Sequence, residues 1–422
     1  MGKIYLCIDL KTFYASVECV ERGLDPLTTN LVVADKSRTE SRGKGAICLA
    51  ISPYLKKIGI KNRCRIYEIP EDIPYITALP RMKLYMKYAA DIYAVYLKYI
   101  AKEDIHVYSI DEAFLDVTPY LELYKMSSRE LCEKIIQDIY ETTGICATAG
   151  IGTNLYLAKV ALDITAKHTK EHIAYLDEEL YRKSLWHHKP LHDFWQVGRG
   201  IESRLAKYGI EDMYDIAHID ERLLYKEFGV NAEYLIDHAY GREPTTMQDI
   251  KQYRSAHTSL SSNQILFEDY AYEDALLVMK EMVEMLVLEL TEKHLVTNHI
   301  SLRIGYSDDS YPSTGKSRKF SLRTASCTYL TDAFVTLFKE AVNKHYLIRS
   351  IGIGFQDVVD ECRESYTLFD DIEEREEEKK LQNTLVEIKQ KYGKNAVLKG
   401  MNLLDKATAR KRNALVGGHN AE

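Results

Sequence analysis

The chain has 422 residues, 46% apolar and 28% charged, with a net charge of −7 and a pI near 6.1. This length and apolar share suit two to four domains with ordinary cores and exclude a disordered or low-complexity polymer. Eight cysteines at positions 7, 19, 48, 64, 132, 146, 327 and 362 form no Cys-x-x-Cys pair; with no signal-peptide pattern and no apolar run of membrane length, the expectation is a cytoplasmic protein that does not enter a membrane.

In chain order, Lys3 to Ile8 is a short apolar run with β-branched and aromatic members, read as a buried strand, and Asp9 stands at its carboxyl end. A helical pattern begins at Phe13, so Phe13 and Tyr14 follow that carboxylate closely. Residues 13–75 form a small insertion with Pro and Gly breaks, containing a short helix-like stretch from Ser52 to Ile60 with Lys56 and Lys57 near its end. From Ile76 to about Lys167 helix and strand patterns alternate, including a helix from Lys83 to Lys98 that carries Tyr85, Tyr88, Tyr93 and Tyr96.

Two short β-like runs, Ile105 to Tyr108 and Ala113 to Val117, flank Ser109-Ile110-Asp111-Glu112. Successive side chains on a regular strand point to opposite faces, so Asp111 and Glu112 serve one site only if the chain turns there. Taken alone the pair fits a polar hairpin tip. Together with Asp9 it makes three carboxylates, whose mutual repulsion is usually relieved by divalent cations with oxygen ligands. Two Mg²⁺ ions about 3.5 to 4 Å apart are the natural occupants, an arrangement suited to in-line displacement at phosphorus.

A strand ending in Asp, a Tyr five residues on, and a distant Ser-Ile-Asp-Glu-Ala-Phe hairpin (109–114) together resemble the Y-family translesion DNA polymerases, most of all the UmuC-like (ImpB/MucB/SamB) branch. The resemblance runs in order over roughly the first 360 residues. It implies an α+β right-hand polymerase: palm from residues 1–12 and 76–173, fingers from 13–75, a helical thumb with a helix-hairpin-helix from 174–240, a linker at 241–252, a little finger domain at 253–360, and an acidic linker and tail at 361–422. It makes Asp9, Asp111 and Glu112 the catalytic metal-binding carboxylates, with the carbonyl of Leu10 as an added ligand. Tyr14 becomes a steric gate beneath the sugar of an incoming dNTP, with Phe13 beside it. Lys56 and Lys167 become triphosphate ligands; Pro53 stands where some members have a tyrosine, and Ser52 is the expected substitute.

Beyond residue 174 the periods become helical, and Val197-Gly198-Arg199-Gly200 resembles the family's helix-hairpin-helix, with Gly198 and Gly200 allowing close approach of backbone N–H groups to DNA phosphates. After the linker come a strand-like stretch (254–261), an amphipathic helix (272–290), strands at 299–306 and 319–325, a helix (332–345) and a strand (350–355). This β-α-β-β-α-β order matches a ferredoxin-like arrangement. Ser301 and Arg303 alternate with apolar residues, as do Ser321 and Arg323, which gives one polar, cationic sheet face. The resemblance turns that face toward primer-template DNA. Ser365-Tyr366-Thr367-Leu368-Phe369 resembles the peptide by which such polymerases dock on the sliding clamp, with Leu368 and Phe369 as anchors.

Net acidity is unusual for a protein that grips DNA. Between Asp360 and Lys380, however, ten acidic residues face four basic ones, a balance of −6, so the rest of the chain stands at −1. A near-neutral body can carry a basic groove. Another reading is a catalytically silent DNA-binding accessory subunit, which would keep the hairpin and the cationic sheet but has no need of the three carboxylates. A haloacid-dehalogenase-type phosphatase would need a second Asp where Lys11 stands, and a nucleotidyl cyclase would not need the downstream DNA-binding elements. His187, His188 and His192 have no accompanying ligand set and read as structural.

Overall fold

The computed structural model describes residues 2–36, 45–255, 259–308, 310–367 and 371–422. The chain divides into two compact units, residues 1–253 and 254–421.

In the first unit, β1 (Tyr5–Leu10) runs into α1 (Phe13–Val20), and β2 (Leu31–Val33), β3 (Ala50–Ile51), α2 (Pro53–Lys57) and β4 (Ile76–Ala78) complete a small subdomain. Its three strands lie in the order β3-β2-β4, over a core of its own that includes Val32, Cys48, Ile51, Leu55 and Cys64. Next come α3 (Met82–Leu97), β5 (Ile105–Val107), β6 (Glu112–Asp116), α4 (Thr118–Tyr124), α5 (Ser128–Thr143), β7 (Ala147–Gly152), α6 (Leu155–Val160) and β8 (Ile173–Leu176). Five strands form one sheet in the order β5-β6-β1-β7-β8, antiparallel except for the β7–β8 pair. β1 is central and almost wholly buried, as its unbroken apolar run demands. Helix α5 shows how local signals fix an element: Ser127 and Glu130 make a capping box, and Gly144 ends the helix in the left-handed conformation.

A bundle of short helices follows: α7 (Glu178–Leu185), α8 (Arg199–Ala206), α9 (Met213–His218), α10 (Glu221–Phe228) and α11 (Ala232–Ala239). The interval expected to be a plain linker contains α12 (Met247–Gln252), started by a capping box between Thr246 and Asp249. Met247 buries itself against Tyr5, Cys7 and Phe114, so this stretch is docked on the main sheet.

The second unit is built from β9 (Leu260–Tyr270), α13 (Tyr272–Glu292), β10 (Leu295–Tyr306), β11 (Thr314–Thr324), α14 (Cys327–Ala341) and β12 (Ile348–Gln356). The element order is the expected β-α-β-β-α-β, but the sheet order is β11-β10-β12-β9. A ferredoxin-like sheet sets its third strand between the first two; here the fourth strand takes that place. β12 earns the interior position because Ile351, Ile353 and Phe355 all face the helices. A short β13 (Val359–Asp360) pairs antiparallel with the start of β10.

Residues 371–421, set apart by composition, pack into this same unit. Asp371 caps α15 (Ile372–Tyr392), which lies against α13, and α16 (Ala409–Asn413) leads to a small hairpin of β14 (Leu415–Val416) and β15 (His419–Asn420). The anchor is Glu281 of α13, fully buried. One carboxylate oxygen accepts from Asn402 Nδ2 at 2.9 Å; the other accepts from the amides of Thr408 at 2.8 Å and Ala409 at 3.0 Å. Arg412 donates to the Gln264 side chain at 3.0 Å. A buried carboxylate is tolerable only with such a full set of donors. Glu281→Ala strands them all, so denaturant unfolding should show the second unit losing about 3 to 5 kcal/mol, while Glu281→Gln, which keeps an acceptor, loses less.

Candidate active site

The head of the main sheet is assembled by backbone geometry. Asp9 is paired directly opposite Glu112 across β1 and β6, and opposed residues of an antiparallel pair share a face. Asp111 lies one residue before β6, in a turn closed by the Tyr108 and Ser109 amides donating to the Glu112 carbonyl. The turn is tied to β1 by the Leu10 amide donating to the Asp111 carbonyl at 2.9 Å, and the Ser109 hydroxyl donates to Asp111 Oδ1 at 2.7 Å. Both acidic neighbours therefore serve one side of the sheet. At the end of β1, Thr12 has φ 44°, a conformation costly for a β-branched residue. Beyond that sharp reversal α1 begins with Phe13 and Tyr14, and Tyr14 lies within reach of the charge of Asp111.

The carboxylates feel one another. Burial, together with the charges of Asp111 and Glu112, pushes the Asp9 carboxyl up to about 6 against the pull of Lys167. Lys167 Nζ lies 3.5 Å from Asp9 Oδ2 and 2.8 Å from Asp163 Oδ1; burial works against its charge, but Asp9 and Asp163 outweigh it and raise its pKa. Lys56 at the end of α2 is lowered by burial while the charges of Asp9 and Asp111 act to raise it, so it too faces this cluster.

Sequence reasoning missed Lys159. It projects from α6, otherwise apolar and buried on every side, and grips both oxygens of Glu112 at 2.7 and 2.8 Å and Asp163 at 2.9 Å. The buried Cys7 thiol donates to Glu112 at 3.1 Å. Two glycines bring α6 this near. A Cβ on Gly150 would stand 2.0 Å from the Ala158 carbonyl oxygen, and one on Gly152 would stand 2.1 Å from the Ala158 nitrogen. Residues Ala161–Thr165 are wound as a π-turn, which carries the chain on to Lys167.

Tyr14 has a platform of its own. Its ring stacks on Tyr85 of α3 with centroids 4.6 Å apart and planes 24° apart, and Phe13 is buried alongside. The Tyr85 hydroxyl donates to the fully buried Glu18 at 2.8 Å; Arg81 forks onto the same carboxylate at 3.0 and 2.7 Å, and Arg22 completes the set. Burial opposes ionisation of Glu18, but hydrogen bonds from Arg81, Arg22 and Tyr85 prevail and hold its pKa below the usual carboxylate value. A depressed folded pKa means that the stabilisation is present above the unfolded carboxylate value and is lost as pH falls through the folded one. Unfolding measured against pH should therefore show an acid limb that is smaller in Glu18→Gln, and Glu18→Ala should cost about 1 to 3 kcal/mol at neutral pH by removing the acceptor shared by Tyr85 and two part-exposed guanidinium groups.

Ser52 does not reach this cluster. It is fully buried as the N-cap of α2, its hydroxyl accepting from the Leu31 amide at 3.2 Å and the Leu55 amide at 3.5 Å. Gly198 caps α8 and Gly200 sits in its first turn, with open space where each Cβ would be. The three histidines nearby each pair with a carboxylate: His187 with Asp212, His188 with Asp193 and His192 with Glu202.

The donor set suits a hard divalent cation. Asp9, Asp111 and the Leu10 carbonyl offer oxygen alone, and the burial of the Asp9 charge, with Asp111 and Glu112 near it, is a cost that such an ion offsets. Glu112 is shared with Lys159, and among the described residues no three acidic, histidine or cysteine side chains gather into a closed metal cluster.

In the second unit, the sheet face away from the helices is polar. Cross-strand register sets Ser317, Ser301, Gly354 and Ser261 in one row and Gly315, Arg303, Gly352 and Asn263 in the next. Lys319, Arg323 and Ser301 line a trough of about 630 Å³ at one end of this face. Ser321, exposed, alternates with buried Leu322. Arg303 donates to Ser313 at 3.3 Å, and Arg323 donates to the Asp357 carbonyl at 3.0 Å. Leu368 and Phe369 lie outside the described residues. No helix among the described residues is long and apolar enough to cross a membrane.

Comparison with known proteins gives a consistent result. The impB/mucB/samB family model matches residues 8–163, and the model of that family's C-terminal domain matches residues 257–368. A Bacillus subtilis (strain 168) protein, "Putative UV-damage repair protein UvrX", is 32% identical over 99% of this chain and 97% of its own length. The "DNA polymerase IV 2" of the same organism is 27% identical over 99% of this chain and 98% of its own. A solved Y-family DNA polymerase chimera shares the fold with a TM-score of 0.66, at 21% identity, covering 85% of this chain and 99% of that one.

Proposed function

The chain belongs to the impB/mucB/samB family of Y-family DNA polymerases, and from that membership we propose that it is a template-directed DNA polymerase that extends primers past damaged bases, with low fidelity and without proofreading. The observation that carries this reading is the register that sets Asp9 opposite Glu112, with Asp111 in the adjoining turn and its charge felt at Asp9, Tyr14 and Lys56, and with Lys167 3.5 Å from Asp9.

In this reading the primer 3′-hydroxyl oxygen bonds to the α-phosphorus of a dNTP as the bond to the bridging oxygen breaks, pyrophosphate leaves with that electron pair, and the hydroxyl proton is lost to solvent. Lys56 and Lys167 neutralise the triphosphate from two sides. Tyr14, held flat by Tyr85, lies under the sugar and rejects a 2′-hydroxyl by collision. Asp9, Asp111, Glu112 and the Leu10 carbonyl would hold two Mg²⁺ ions, which supply Lewis-acid activation of the attacking and leaving oxygens. Lys159 and Cys7 fix the rotamer of Glu112.

For the substrate grip, the open edge at Gly198 and Gly200 supports phosphate contacts from the start of α8. The face carrying Ser301, Arg303, Lys319 and Arg323, with exposed Ser321 nearby in sequence, supports sequence-independent contact with the duplex backbone. Leu368 and Phe369 are the proposed anchors for a sliding clamp.

Asp111→Asn combined with Glu112→Gln should lower primer extension by about a thousandfold or more while primer-template affinity stays within about threefold; extension at the parental rate would rule out the site. Tyr14→Ala should raise ribonucleotide incorporation about tenfold or more in a single-nucleotide assay. Unchanged sugar discrimination would remove Tyr14 from the gate.

A further inference from the structure

The helical side of the second unit carries a groove used neither by the carboxylate site nor by the polar sheet face. Helices α13, α14 and α15 wall a trough of about 610 Å³. Its floor is apolar, made by Leu288 of α13, Leu381 and Leu385 of α15, and Cys327 at the start of α14. Leu381 is 60% exposed, although it stands in a helix otherwise rich in charge. Five carboxylates line the groove, Glu284, Asp332, Glu374, Glu377 and Glu378, against one cation, Lys399. Part of this charge serves the fold, since Glu378 accepts from the Thr328 amide and hydroxyl at 2.8 Å and Lys399 lies 3.8 Å from Glu284. Asp332, Glu374 and Glu377 are exposed at the rim.

We propose that this groove binds a cationic amphipathic helix of a protein partner. The stretch of α15 from Glu374 to Leu385 is three turns long, about 16 Å, which accommodates a partner helix of about eleven residues. Leu381 and Leu385, four apart, form an apolar stripe for leucine-like anchors, the usual mode of a helix lying in a groove. The flanking carboxylates select lysine or arginine on the sides of that helix and speed its approach. The same charge repels phosphate backbones and anionic lipid headgroups. The groove and the polar sheet face lie on opposite sides of the α/β layers, so the unit can hold a duplex and a protein together.

The test uses the full chain and a fluorescent 14-residue peptide with leucines at helical spacing and lysines elsewhere, beside a counterpart with glutamate for lysine. By anisotropy the lysine peptide should bind at micromolar concentration and the glutamate peptide should not. Leu381→Asp, whose position is exposed and whose folding is checked by circular dichroism, should weaken binding at least tenfold. Glu374→Lys with Glu377→Lys should weaken the lysine peptide at least tenfold and create binding of the glutamate peptide. Unaltered lysine-peptide affinity in either variant would overturn the proposal. So would a concentration-dependent dimer abolished by Leu381→Asp, which would make a second copy of the chain the occupant.

Discussion

Most charged contacts at the head of the main sheet depend on how closely α6 lies on β7. Only glycine at 150 and 152 permits that distance, because any side chain would occupy the helix backbone itself. The close approach delivers Lys159 to Glu112 and, through the π-turn, Lys167 to Asp9. The far side of the same helix supplies Tyr156, Leu157 and Val160 to the core of the α7–α11 bundle. One six-residue element thus aligns the carboxylates on one side and seats the bundle on the other. A small displacement of α6 would be felt at both.

Charge is divided with similar economy. Cations gather at the carboxylate site and along the polar sheet face, while the net acidity of the chain is concentrated around α15. A pI near 6.1 therefore says little about nucleic-acid binding here, since what matters is the local field at each surface. Tyr14 shows the same locality: its orientation rests on Tyr85, Glu18, Arg81 and Arg22, contributed by α1, α3 and the residues that flank them.

Elements with strong local periods were legible in the sequence. The strand ending at Asp9, the Asp111-Glu112 hairpin, α3, α13 and the β-α-β-β-α-β order all follow from apolar spacing and turn residues. What was not legible depends on partners distant in sequence. Lys159 looked like an ordinary helix lysine because its carboxylate lies 47 residues away, and Ser52 looked available because the strand amide it caps belongs to another element. The sheet order of the second unit and the docking of α12 and α15 are likewise set by which apolar faces meet. A composition reading separated the acidic stretch from its neighbours, whereas packing joins them.

Glu281 gives the second unit an order of assembly. The groups that neutralise its burial arrive 121 to 128 residues later in synthesis. Until they do, α13 can lie on the sheet only with an ionised or protonated carboxyl exposed at its outer surface, and the unit is held short of its full cooperativity. The unit thus reaches its stable form only once residues 402–409 are in place. A chain that stopped short of residue 402 would leave the Glu281 carboxylate without these donors and the seam beside α13 unsealed.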